Sequence, residues 1–308
     1  MNIYLNTLNE SWVVDRIRSE WYEHNSTVST IEPSNADIIW IIAPWVWKKV
    51  PKKYLKNKKI LCSNYHIDFK NFESIEKRDF YKRDKYVDMY HVISEKNKLD
   101  LQKLTDKKIV SIPFWVNEKI FYKIDNLNEL REKFGFSKSD YLVGSFQRDT
   151  EGKDLLSPKL IKGPDIFIKI IKEKYKTNKN LVVVLTGKRR QYVINMLKNL
   201  NIPFKYFEMV SQRQLNELYN ILDLYIVSSR LEGGPQSILE CSIVKTPIIS
   251  TNVGIASEIL SESSIYNDES DFHLAIPEPD IAYKNAKKHN INNSMKKFNI
   301  MFKNLYEN

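Results

Sequence analysis

The sequence predicts an α/β protein with two parallel sheets, and three observations lead there. Short apolar runs of strand length alternate with longer amphipathic stretches from end to end. A break at Pro113 divides those runs into two sets. The chain has 308 residues, 42% of them hydrophobic, which is enough for two domains of ordinary size with a core each.

In the first set the strand-like runs are 2–5, 37–42, 59–62, 89–93 and 109–112. Between the first two, Trp12, Val13, Ile17 and Trp21 recur with a period of about 3.6 and predict an amphipathic helix. The second set has runs at 141–146, 181–185, 204–207, 224–227 and 247–251. Gly163-Pro164 opens a helix carrying Ile166, Phe167, Ile170 and Ile171. Tyr192, Val193, Met196, Leu197 and Leu200 stripe another, and Ser211 with Gln214 forms a capping box ahead of a third. Met295, Phe298, Met301, Phe302, Leu305 and Tyr306 stripe a last helix. These patterns give a first domain over 1–117, a second over 118–285 and a terminal helix over 286–308.

The most informative segment is RLEGGPQSILE at 230–240. Glu232 and Glu240 stand eight positions apart, with an apolar run before them and another after. The pattern reads as a strand, a tight loop and the first turns of a helix. Gly233 and Gly234 can adopt positive φ and let a ligand approach the backbone closely. Pro235 suits the first helical position, where bare N–H groups and the helix dipole form an anion site. Carboxylates at both ends and an anion site between them match a ligand with a central phosphate and hydroxyls at either end, as in a nucleotide-sugar.

The wider string SSRLEGGPQSILECSIVKTPIISTNVGIASEIL resembles the donor-site segment, E-x7-E, of retaining glycosyltransferases of family 4. That resemblance implies the GT-B fold: two Rossmann-like domains with a central cleft and a C-terminal helix crossing back to the first. It also implies a hexosyltransferase-type enzyme that moves a sugar from a nucleotide-diphosphate-sugar to a glycan or glycolipid acceptor with retention. IPFWVNEKIFY, from Ile112, resembles the family's interdomain stretch.

GSFQRDTEGKDLLSPKLIKGPD resembles the family's phosphate-binding element with an insertion. Lys162 matches its lysine and Arg148 is the candidate arginine. Ser145 holds the arginine position by simple counting, and Lys153 and Lys159 are rivals. Fixed cations there stabilise the departing diphosphate. Gly144 and Gly187 end strands, and Lys188 and Arg190 follow, so all four are expected towards the ligand crevice. Glu240 is the candidate for the ribose hydroxyls, Glu232 for the transferred sugar, and Val210 for the flank of the base. In the first domain His66, in SNYHID, resembles the family's histidine near the reacting sugar. Trp45, Trp47 and Trp115 fall at strand ends and offer apolar faces to an acceptor sugar. His91 lies within a strand, where packing is its expected role.

No Asp-x-Asp and no zinc spacing occurs, so no metal and no cofactor is expected. Cys62 and Cys241 form no metal spacing and are expected to stay reduced in a cytoplasmic protein. The net charge is +10, with a lysine-rich segment at 48–59; it suits an anionic donor or peripheral contact with the inner face of a membrane. No nucleic-acid-binding pattern is present. Two alternatives remain: a nucleotide-sugar epimerase of the same fold, and a non-catalytic nucleotide- or sugar-binding protein, the latter suggested by the short first domain.

Overall fold

The computed structural model describes residues 1–7, 13–72, 75–268 and 270–307. Trp12 of the first predicted helix therefore lies outside the described residues. The chain divides into two compact units, Met1–Phe114 with Ile291–Asn308, and Trp115–Asn290. The sequence places these boundaries at 117/118 and 285/286.

The first unit is a five-stranded parallel sheet in the order β1 (Ile3–Leu5), β2 (Ile38–Ile41), β3 (Lys59–Asn64), β4 (Met89–Val92), β5 (Lys108–Ser111). The connections from β2 to β5 pack on one face, where Leu55, Phe80 and Leu101 cover Ile39, Ile41, Ile60 and Tyr90. The Val13–His24 helix lies on the other face, with Trp21 5.4 Å from Trp40. After that helix the chain bridges the outer edge of β1 at Ser29 before reaching β2. The crossovers on either side of β1 thus use opposite faces, as in doubly wound sheets.

Helix Ile291–Glu307 completes that second face. Phe298 packs 5.3 Å from Trp40, and Phe302 packs 5.1 Å from Trp21. One polar chain runs through this aromatic core. The Trp40 indole N–H donates to Ser63 Oγ at 2.8 Å, and Ser63 Oγ lies 2.9 Å from His91 Nδ1. His91 Nε2 lies 2.7 Å from the Ile112 carbonyl. A carbonyl only accepts, so Nε2 carries the proton and Nδ1 accepts from Ser63. His91 is the packing histidine its strand position suggests.

The second unit is a six-stranded parallel sheet. Its strands are β6 (Tyr141–Ser145), β7 (Leu181–Thr186), β8 (Phe204–Phe207), β9 (Leu224–Val227), β10 (Ile248–Thr251) and β11 (Ile265–Tyr266), in the order β11-β10-β9-β6-β7-β8. β11, only two residues long, was not expected. Ile166, Phe167, Ile170 and Ile171 of helix Pro164–Thr177 pack on Val183, Leu224 and Ile226. The Ser211–Gln214 capping box is present. The strand order reverses between β6 and β9, so ligand-binding loops belong at the C-terminal ends of those two strands.

His91 generates a pH prediction. Burial lowers its pKa from 6.5 to about 4, against the Ile112 hydrogen bond, which raises it. The folded state then binds fewer protons than the unfolded state. Its contribution is intact above the unfolded value and is lost as pH falls towards the folded one. Urea unfolding should show stability falling by about 2 kcal/mol between pH 6.5 and about 5, and His91→Gln should flatten that slope.

Candidate functional site

The loop after β6 and the loop after β9 meet at the reversal point. Gly163 makes the meeting close: its φ is +60°, and a Cβ there would sit 1.7 Å from the Ser228 carbonyl oxygen, so only glycine fits. The Arg230 and Leu231 amides both donate to Ile161 O, at 2.8 and 3.1 Å. The Arg230 guanidinium takes both Asp165 oxygens, at 2.7 and 2.6 Å. Thr251 Oγ1 donates to Ser229 O at 2.6 Å.

These ties bring Lys162 and Glu232 into an ion pair, with side chains 21% and 11% exposed. Ser229 Oγ lies 3.1 Å from Glu232 Oε1 and 3.1 Å from Gln147 Oε1, and the Gln147 amide donates to Lys162 O at 2.7 Å. Arg148 is half-buried and its Nε donates to Thr150 O at 2.8 Å. Lys159 joins the cluster: burial lowers its pKa, and the like charges of Arg148 and Lys162 lower it further. Ser229 and Gln147 had no sequence signal, being common polar residues whose partners lie far along the chain.

Glu240 sits in helix Gln236–Ile243, 3% exposed, and accepts from the Tyr219 hydroxyl at 2.9 Å. Val210 is half-buried after β8, and Lys188 is exposed after β7. In the first unit, His66 is half-buried in the loop after β3. Trp45 is 51% exposed after β2, its ring 5.6 Å from Tyr65.

Several expectations need correction. Gly233 and Gly234 are not among the positive-φ glycines; their neighbour Gly254 is, at +52°, and a Cβ there would sit 2.5 Å from Gly233 O. What the glycine pair supplies is close backbone packing. Pro235 caps the helix instead of occupying its first turn, because its ψ of 117° is extended. Gly144 faces Leu222, whose Cδ1 would lie 2.3 Å from an added Cβ, so packing explains it. Gly187 does take positive φ, and its carbonyl accepts from the Tyr206 hydroxyl at 2.9 Å. Trp115 is 1% exposed and Trp47 is 7% exposed with its indole on Asp79, so neither presents a face to a sugar.

Arg190 is the largest departure. It is 1% exposed and pairs with Asp149 at 2.8 Å. Its guanidinium also donates to Ser145 O and, at 3.0 Å, to Thr186 O. It binds the ends of β6 and β7 to the 146–163 loop, and its side chain is spent on these partners and withdrawn from solvent. Removing one partner of such a buried pair leaves a buried charge and costs about 3–5 kcal/mol. Arg190→Ala should therefore lower the melting temperature sharply, whereas Lys188→Ala should leave it unchanged in the same thermal scan.

Residues 156–279 match the family described as glycosyl transferases group 1. Among curated proteins, N-acetyl-alpha-D-glucosaminyl L-malate synthase of Bacillus anthracis is 23% identical over 158 residues, a match covering 50% of this chain and only 38% of that protein. Among solved structures, HepE of Anabaena, determined with UDP and glucose, superposes with a TM-score of 0.77 at 11% identity over 98% of this chain and 99% of that one. Sucrose-phosphate synthase of Thermosynechococcus elongatus gives 0.69 at 12% identity over 98% and 81%. The two parallel α/β units thus carry the GT-B fold, and the match to glycosyl transferases group 1 lies within the second of them.

Proposed function

We propose that this chain is a retaining, metal-independent glycosyltransferase that moves a sugar from a nucleotide-diphosphate-sugar to a glycan or glycolipid acceptor. One observation carries the reading. Where strand order reverses in a domain matching glycosyl transferases group 1, Lys162 and Glu232 stand paired at the mouth of the Gln236–Ile243 helix, with Arg148 and Lys159 beside them.

The pair suggests how the donor enters. A diphosphate, with more charge than a carboxylate, displaces Glu232 from Lys162. Lys162, Arg148 and the helix N-terminus then hold the departing diphosphate, and Glu232 turns to the hydroxyls of the transferred sugar. Glu240, oriented by Tyr219, accepts from the ribose. These cations supply the positive potential that a divalent ion gives elsewhere, which supports metal independence. His66 is assigned to the sugar or the acceptor, and Trp45, the exposed tryptophan of the three, to the acceptor. Uridine diphosphate is the first nucleotide to test, because HepE binds it.

The displacement predicts opposite effects for the two partners. Lys162→Ala should raise the Kd for UDP about tenfold by calorimetry. Glu232→Gln should lower it by a few-fold, since it removes a competing anion, while transfer falls. Weaker UDP binding in both variants would contradict the exchange.

Glu240→Gln keeps an acceptor for Tyr219 and should leave the melting temperature near wild type. The loss of a charge-assisted ribose contact should still weaken UDP by about tenfold. Unchanged affinity would remove Glu240 from the site.

Donor turnover with excess EDTA, against added Mg²⁺ or Mn²⁺, tests metal independence. Activity should persist, with at most modest stimulation from a metal carried in by the diphosphate. Complete loss restored by metal would end that part of the proposal.

A further inference from the structure

In the first unit β5 is the edge strand of the sheet, and its flank beside helix Ile291–Glu307 is not filled. A groove of about 290 Å³ runs between strand and helix, floored by Met89, Val110, Ile112 and Met301. Ile300 stands at its lip, 62% exposed, and Lys108 and Lys297, both exposed, stand at its rim. Among the described residues that line it there is no carboxylate. Lys297, Ile300 and Asn304 share one helix face by spacing, so cation and apolar side chain point the same way.

An apolar floor asks for apolar atoms, and two rim lysines ask for negative charge. A soluble anion would leave the floor wet. A second copy of the chain, docked through the same patch, would set lysines against lysines. An interface with acyl chains below and phosphates above satisfies both demands.

We propose that the groove between β5 and the C-terminal helix docks the protein on an anionic phospholipid surface. Ile300 and the groove floor take acyl-chain segments, and Lys108 and Lys297 meet the headgroup phosphates. This goes beyond the proposed reaction, and vesicle binding reads it without donor or turnover.

The test is co-sedimentation of the whole chain with phosphatidylcholine vesicles, with and without phosphatidylglycerol, at about 0.1 M salt. Binding is expected only where phosphatidylglycerol is present. Lys297→Glu should weaken it about 25-fold, from two units of lost charge at about fivefold each. Ile300→Ser should weaken it about tenfold through lost apolar insertion. Both positions are exposed, so melting temperatures should not move. Lys198→Glu, an exposed reversal in the second unit, makes the same change in net charge and should bind as wild type. Four results would each overturn the proposal: no binding to phosphatidylglycerol vesicles; equal loss from Lys198→Glu, which means nonspecific adsorption; full binding by Ile300→Ser, which leaves the groove no part; or a dimer in light scattering that Ile300→Ser dissociates, which makes the occupant a second copy.

Discussion

The second unit depends on one guanidinium. Arg190 starts where β7 ends and reaches across to the end of β6, so two neighbouring strands finish on the same cation. Its charge is buried, and a buried charge needs a partner. That partner, Asp149, belongs to the loop leaving β6, and the bond fixes where the loop begins. Burial pushes the Asp149 carboxyl up even with Arg190 beside it, a sign of how fully the pair is withdrawn from water. Everything downstream inherits that origin. Asp149 O accepts from the Lys159 amide at 2.8 Å, the turn at 160–163 follows, and Lys162 arrives opposite Glu232. Lys162 and its neighbouring cations are thus placed by a cation that is itself withdrawn from solvent.

The first unit uses a different device. Its core face is crowded with aromatic rings from two helices remote in sequence, and rings alone fix orientation poorly. The relay from Trp40 through Ser63 and His91 to Ile112 joins β2, β3, β4 and the exit of β5 with directional bonds. Each buried donor finds an acceptor, so the polar atoms specify register without a desolvation cost left open.

Much of this was legible in the sequence because its signals are local. Strand runs bounded by turns, the Ser211–Gln214 cap and the glutamate pair each declare themselves within a dozen residues. What was misread depends on distance. A charged residue after a strand reads as a rim group, and the reading of Arg190 fails because Asp149 lies 41 residues away in sequence. Trp47 reads as a sugar platform until Asp79, 32 residues on, claims its indole. Glycine pairs leave room for positive φ, yet the left-handed backbone sits at Gly254, across the loop from the pair it packs against. β11 escaped because two residues carry no periodicity, and the Ser29 bridge because one residue carries none.

The contact at Gly254 has a consequence for how this site can change. It touches the Gly233–Gly234 loop main chain to main chain, and backbone contact is indifferent to neighbouring side chains. The path of the loop is therefore inherited independently of the groups it displays. Selection can exchange the side chains that the loop displays one at a time, while the frame that presents them stays as it was. A site built this way keeps its geometry as a constant and its specificity as a variable.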